Sequence, residues 1–358
     1  MKTPDTLRVI GLMSGTSLDG LDIASCTFTR KKDSWSYTIE KAQTISYPPA
    51  WKNKLKNAHK LSAPALYALD AAFGGFMAQQ ALAFIRKNSL KKIQLISSHG
   101  HTVFHQPDKG FTCQIGSGAV IASVTGIATA CDFRSGDVAL GGQGAPLVPV
   151  GDELLFSEYD ACLNLGGIGN ISFKRNGKRL AFDISPANMV LNYLAQKKGL
   201  PYDKDGHLAM SGEVRWDLLK KLNAHPFYTG YKSKSLGREW VEEYVLPLFD
   251  KEKASVNDKL ATAAEHTALQ TARVLNHFKI RRVLITGGGA YNADLISRLA
   301  AYSGAELVIP DSRTVQFKEA LIFAFLGVLR LRGEVNCLKE VTGAKRDSVG
   351  GALYSGIQ

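Results

Sequence analysis

Residues Val9 to Ser25 read VIGLMSGTSLDGLDIAS, and the rest of the chain is organised around this stretch. Two apolar runs, Val9–Met13 and Leu21–Ala24, flank a series of small residues with one acid: Ser14, Gly15, Thr16, Ser17, Leu18, Asp19 and Gly20. The spacing predicts a strand, a tight turn and a returning strand. Such a turn presents backbone N–H groups and hydroxyls at one point, and Gly15 and Gly20 let the backbone approach a ligand closely. That point suits a phosphate, with Asp19 or Asp22 within reach of its Mg²⁺. A Gly-rich hairpin without a ligand fits the stretch, taken alone, equally well.

The theme returns at Asp160–Ser185. An apolar strand, Ala161–Leu165, runs into Gly166, Gly167, Ile168, Gly169 and Asn170, then a return strand, an Asn176–Gly177 hairpin and a third strand ending at Asp183. Two halves that each open on a Gly-turn hairpin point to a duplication, each half offering a phosphate-cradling turn to a cleft between them. The third strand ends in FDISPANMVLN. Pro186 is a favourable helix start, which places Asp183 just before a helix N-terminus with Ser185 and Asn188 beside it. The helix dipole would then hold the carboxylate ionised, as a general base requires. A helix-capping acid is the alternative.

Between and beyond these hairpins, Trp35–Ile45 reads as a strand and Ala63–Arg86 as a long helix carrying Gly74–Gly75, residues suited to close packing. Ile93–Ser97 is a buried strand ending in SHGHTVFHQP, so His99, His101 and His105 fall at a strand's C-terminal end, where ligands collect in open α/β sheets. No carboxylate or cysteine completes a metal set at a recognised spacing, which favours substrate-contacting or packed histidines. Short elements follow at Cys113–Gly116, Ala119–Val124 and Ile127–Cys131. Asp132–Pro149, DFRSGDVALGGQGAPLVP, has no periodicity and reads as the crossing into a second domain and a wall of the cleft, with Arg134, Asp137 and Gln143 as its chemistry. Val256–Phe278 is a long amphipathic helix. Arg282–Thr286 is a strand feeding GGGAYN (Gly287, Gly288, Gly289 to Asn292) and a helix Ala293–Tyr302, a strand–glycine–helix order that suggests nucleotide contact. It lacks the last glycine of a dinucleotide fingerprint, and no GxxxxGK[ST] loop is present. The helix Lys318–Arg330 is apolar on most faces, which singles out Glu319 near its start.

The 358 residues are 45% hydrophobic, 9% aromatic and 21% charged, enough for a large core and long enough to predict two domains. The net charge of +12, from 44 Lys and Arg against 32 Asp and Glu, arises from scattered basic pairs, so no nucleic-acid partner is expected. The five cysteines form no CxxC pair and read as reduced core residues. The N-terminus lacks signal-peptide features and no window approaches the roughly 18 apolar residues of a membrane span, so a cytoplasmic protein with no membrane partner is expected.

With these motifs in place, the chain resembles the anhydro-N-acetylmuramic acid kinase family. The resemblance rests on GLMSGTSLDGLDIA, SHGHTVFHQP, DFRSGDVALGGQGAPLVP, NLGGIGNIS, FDISPAN, ITGGGAYN and KEALIFAFLG in the family's order. It implies an α/β, two-domain actin-like ATPase (ribonuclease H-like) fold with a nucleotide cleft between the domains. The expected limits are 1–135 plus about 343–358 for the N-terminal domain and 136–342 for the C-terminal one.

The resemblance also implies ATP and Mg²⁺ as cofactors, a homodimer, and a role in peptidoglycan recycling. The family opens the 1,6-anhydro ring of its amino sugar with water while phosphorylating O6. By residue, Gly15, Thr16, Ser17, Leu18, Asp19, Gly20, Leu21 and Asp22 match its ATP-phosphate hairpin. Asn164, Gly166 and Gly167 resemble the second, and Gly287, Gly288 and Gly289 the adenosine motif. Asp183 matches the catalytic base, while Arg134 and Glu319 fall in motifs lining the sugar site. Ile184, Ser185 and Ala187 stand where the family commonly has Thr and two glycines, and SHGHT replaces THGQT. An ordinary sugar kinase of the same superfold is the competing reading, followed by a chaperone-like or filament-forming ATPase.

Overall fold

The computed structural model describes residues 4–32, 34–231 and 234–356. The chain forms two compact units, Met1–Leu155 with Phe317–Gln358, and Phe156–Gln316. Alternating and continuous apolar runs set the strands. In the first unit these are β1 (Thr6–Ser14), β2 (Gly20–Lys31), β3 (Ser34–Ser46), β4 (Leu95–Gln106), β5 (Phe111–Ile115) and β6 (Thr129–Cys131). The second holds β7 (Ala161–Leu165), β8 (Ile168–Arg175), β9 (Lys178–Pro186), β10 (Arg282–Thr286) and β11 (Glu306–Val308), and β12 (Ala352–Tyr354) returns to the first sheet.

The sheets share one topology. The first runs β12-β6-β4-β1-β2-β3, with β5 paired to β4, and the second runs β11-β10-β7-β8-β9. In each, three consecutive strands form an antiparallel meander: β1, β2 and β3 in one, β7, β8 and β9 in the other. Two further strands then add in parallel beyond the first strand of the meander: β4 and β6, or β10 and β11. The repeated third-second-first-fourth-fifth order is the duplication that the two Gly-turn hairpins predict, and it makes the protein an α/β chain of the actin-like ATPase type.

Each unit has its own core. Ile10, Leu12, Leu21, Ile23 and Ile96 of the first sheet pack with Phe73, Met77 and Phe84 of the helix Ala63–Lys87. By length and composition alone that helix is apolar enough to cross a membrane, contrary to the sequence-based expectation, yet this apolar stripe is spent on the core. In the second unit Leu163, Ile171, Phe182 and Ile285 pack with Ala268, Ala272 and Leu275 of the helix Val256–His277. That helix is started by the Ser255 hydroxyl, which accepts from the Asp258 N–H. The five cysteines are free thiols.

The division differs from the expected limits, because segments 136–155 and 317–342 cluster with the first unit. The helix Ser312–Arg332 explains much of this. Its backbone leaves helical geometry at Phe317, where the chain passes from one unit to the other. Beyond that point Ala320 to Leu326 are all buried, and they lie on the first sheet. A Cβ at Gly11 of β1 would stand 2.1 Å from the Ala320 carbonyl oxygen, and one at Gly327 would stand 2.5 Å from Ser97 Oγ of β4. Only glycine permits so close an approach. Ser97 also donates to the Phe323 carbonyl at 2.5 Å. Segment 136–155 is tied down by the buried Asp152, whose carboxylate pairs with Lys318 at 2.8 Å.

Candidate active site

In the first unit the hairpin forms as the sequence predicts, with Ser14 paired to Leu21 and the turn between them. Thr16, Ser17 and Asp19 are exposed, Gly15 and Leu18 are half-buried, and Gly20 and Leu21 are buried. Leu18 adopts a φ of 61°, and its N–H reaches the Gly15 carbonyl at 3.3 Å. The two glycines have different reasons. A Cβ at Gly15 would meet nothing closer than Ser17 Oγ at 3.6 Å, so the backbone there faces open space. A Cβ at Gly20 would stand 2.5 Å from the Ile45 carbonyl oxygen, so the close packing of β3 requires glycine there.

Asp22 accepts a hydrogen bond from Thr44 Oγ1 at 2.5 Å. Burial pushes its proton affinity up, the Thr44 bond opposes this, and the charge of Asp19 adds to the rise.

Behind the turn, Tyr47 donates to the buried Ser14 Oγ at 2.7 Å, and Ser14 Oγ lies 3.0 Å from His101 Nδ1. His99 Nδ1 lies 2.9 Å from the Gly100 carbonyl, which fixes it as the donor and leaves Nε2 to accept from Arg134 at 2.8 and 3.1 Å. Burial, reinforced by the Arg134 charge, pulls the His99 pKa down to about 3, and burial brings His101 to about 4. Both imidazoles are neutral at physiological pH. His105 pairs with Thr112 at 3.1 Å. The three histidines thus go to three separate partners, and among the described residues no group of three His, Cys, Asp or Glu is placed to hold a metal ion.

Arg134 completes its own anchoring by donating to the Gly144 carbonyl at 2.7 Å. Asp137, fully buried, braces the same segment by accepting from the Gly144 N–H at 2.8 Å and Thr342 Oγ1 at 2.7 Å. Asp132–Pro149 is therefore a pinned structure within the first unit, with a short helix at Ser135–Ala139, and not a crossing between domains. Glu319 is solvent-accessible although protein crowds it from most sides. That crowding raises its pKa, Asp22 adds repulsion, and Arg134 and Lys318 oppose the rise. Asp22 and Arg134, in the same unit as Glu319, thus both lie close enough for their charges to act on it.

In the second unit the turn is tighter, spanning residues 166–168 between the paired Leu165 and Gly169. Its carbonyls face the helix Asn188–Gln196. Gly167 O accepts from the N–H groups of Ala187 and Met189 at 3.0 Å, and Gly166 O from that of Asn188 at 3.1 Å. These are the N–H groups a helix start leaves unpaired, so the turn caps the helix. Asn188 Nδ2 donates to the Leu165 carbonyl at 2.9 Å.

The GGGAYN loop packs on the same strand end, as Thr286 pairs with Asn164. Gly287 has a φ of 83°, and a Cβ there would stand 2.6 Å from Asn164 Oδ1. Gly288 and Gly289 follow in a short helical turn, and Asn292 caps the helix Ala293–Tyr302 through the Leu295 N–H at 3.0 Å. The residue that breaks the dinucleotide pattern is thus a helix cap. Asn164, Gly166 and Gly167 are brought together with Gly287, Gly288 and Gly289, as the two separate motifs do not reveal.

Asp183 departs from its expected setting. β9 runs on to Pro186, which pairs with Ile168, and the helix starts only at Asn188. The helix field fades within its first turn and does not account for the state of the carboxylate. Asp183 sits beside a bulge, opposite Asn170, with Ile184 as the extra residue. Its Oδ2 accepts from the Leu236 N–H at 2.7 Å and Ser235 Oγ at 3.2 Å, and its own N–H donates to the Lys234 carbonyl at 3.0 Å. Burial raises its pKa, and the Leu236 and Ser235 bonds hold the rise back. Sequence reading missed Ser235 and Leu236. They lie some fifty residues along the chain in a polar stretch with no periodicity, and no local signal connects them to the acid.

A family model described as anhydro-N-acetylmuramic acid kinase matches residues 7–356. An anhydro-N-acetylmuramic acid kinase of Xanthomonas oryzae pv. oryzae is 38% identical, covering 98% of this chain and 98% of its own length. One of Sulfurovum sp. is 34% identical, covering 97% and 99%. Among solved structures, a ROK family glucokinase from Streptomyces griseus, in complex with glucose and AMPPNP, aligns at a TM-score of 0.41 with 10% identity, over 89% of this chain and 98% of that one. On the full-length match of model and relatives, the chain belongs to the anhydro-N-acetylmuramic acid kinase family.

Proposed function

We propose that the chain performs its family's reaction: ATP-dependent opening of the 1,6-anhydro ring of anhydro-N-acetylmuramic acid with phosphorylation of O6, giving N-acetylmuramate 6-phosphate and ADP. The match over residues 7–356 carries this reading. Water attacks C1, the C1–O6 bond breaks, O6 takes the γ-phosphoryl group and ADP leaves. Ordinary glycoside hydrolysis needs a second carboxyl group to protonate the leaving oxygen. Here the phosphoryl group captures the charge developing on O6, so one carboxylate suffices.

Asp183 is the group that takes the proton from water. Burial raises its pKa, which makes its carboxylate a stronger base than an exposed aspartate's. Gly15 to Asp22, with Asn164, Gly166 and Gly167, hold the triphosphate. Gly287 to Gly289 take the adenosine, and Arg134 and Glu319 take the sugar. The neighbouring carboxylates of Asp19 and Asp22, whose repulsion a cation relieves, fit Mg²⁺, an ion that commonly takes one or two carboxylates and completes its shell with phosphates and water. When bound, it neutralises phosphate charge. The protein acts as a cytoplasmic homodimer in peptidoglycan recycling and amino-sugar catabolism.

The test is incubation with the anhydro sugar, Mg-ATP and ¹⁸O-labelled water, read by product mass. A 6-phosphate carrying one heavy oxygen at C1 is expected. ADP with no labelled sugar would replace this reading with an ordinary kinase or an ATPase.

A further inference from the structure

The two oxygens of Asp183 are not equivalent. Oδ2 holds both hydrogen bonds, from Leu236 and Ser235, whereas Oδ1 has no hydrogen-bond partner among the described residues. The donors come from a segment with its own anchor. The Lys234 ammonium turns back to donate to the Phe227 carbonyl at 2.6 Å and the Gly230 carbonyl at 2.8 Å, and lies 4.2 Å from the centre of the Phe227 ring. The Lys234 carbonyl receives the Asp183 N–H, so the segment grips the acid through main chain and side chain at once.

We propose that Ser235 and Lys234 are positioning residues for the reaction: Ser235, with the Leu236 N–H, fixes Oδ2 so that Oδ1 is the oxygen that receives the proton, and Lys234 locks those donors in place. The inference rests on the reading of Asp183 as the base.

Other ionisable groups around the acid are already engaged. The helix Val256–His277 packs on β9, but its His266 bonds Asn223 and Tyr228, and its Glu265 bonds Arg298 and Tyr302. Its Lys259 acts on Asp250, Arg273 on His266, and His277 stacks on Tyr231. Across β8, Asp183 faces the neutral Asn170. Its acid–base behaviour therefore responds chiefly to Ser235, Leu236 and burial.

The experiment measures kcat, both KM values and melting temperature for Ser235→Ala, Ser235→Thr, Lys234→Met and Asp183→Asn in the full chain, across acid and neutral pH. Ser235→Ala removes a bond that favours the ionised carboxylate. The acid limb of kcat/KM is expected to move to higher pH, and kcat to fall about tenfold, with KM for ATP unchanged. Ser235→Thr restores both. Lys234→Met moves the limb in the same direction.

A merely structural role would lower the melting temperature and leave the limb in place. That outcome for Ser235→Ala, with Asp183→Asn inactive, overturns this inference and spares Asp183 as the base. An active Asp183→Asn overturns both.

Discussion

The two hairpins start from similar sequences and end in different uses of the backbone. GTSLDG leaves six residues, 15–20, between the paired Ser14 and Leu21, whereas GGI leaves three, 166–168, between Leu165 and Gly169. The first turn is long and largely exposed, makes one internal backbone bond, and carries Asp19 with Asp22 just beyond it. The second spends its carbonyls on the N-terminus of the helix Asn188–Gln196 and is held by GGGAYN packing on its strand. Turn length decides the difference. A six-residue turn projects away from its sheet, while a three-residue turn stays close enough to cap the next helix. The first hairpin thereby keeps its turn open to solvent, whereas the second is tied into the start of the helix that follows β9, the strand carrying Asp183.

The largest effect that would break this comparison falls on the strand the second hairpin supports. Asp183→Asn is expected to lower turnover by about 10²–10⁴-fold with ATP affinity, measured by calorimetry, retained. The same variant should raise the melting temperature at neutral pH. The sign follows from the raised pKa: a carboxylate whose folded-state pKa exceeds its unfolded value loses stability for the fold as pH rises through that window, and the amide removes this cost.

Gly287→Ala comes next. It forces a side chain onto a φ of 83° and against Asn164, so both thermal stability and nucleotide affinity should fall, read by melting and by ATP titration. Comparing two glycines of the first hairpin sharpens the distinction between fold and ligand. Gly20→Ala is expected to cost about 2 kcal/mol of stability through its clash with Ile45, whereas Gly15→Ala should leave the melting temperature unchanged and raise KM for ATP. Equal melting temperatures for the pair would remove that distinction.

The smallest expected effect concerns His99 and His101. With pKa values near 3 and 4 they stay neutral, so neither should contribute a step to the kcat/KM profile between about pH 5 and 8. His101→Gln, which keeps an acceptor for Ser14, should leave that profile and kcat nearly unchanged.

Local sequence was a good guide where neighbours in the chain are neighbours in space. The β1–β2 hairpin, the Asn176–Gly177 turn with φ of 50° and 77°, and the strand feeding GGGAYN were all legible, because turn chemistry and apolar alternation act over a few residues. Helix starts were less so. Pro186 carries a helix-start signal, yet pairing with Ile168 and a bond from Thr267 to its carbonyl keep it in the strand. The setting of Asp183 followed from that misplacement.

The sequence by itself determined the duplicated α/β plan, the family and the residue types at each motif, because periodicity, turn residues and motif order are properties of the linear chain. Only the tertiary structure decided that Gly20 serves β3, that 317–342 packs with the first sheet, and that Asp183 answers to Ser235 and Leu236. Each depends on contacts between residues tens to hundreds of positions apart, which close packing and hydrogen-bond satisfaction select and no local pattern encodes.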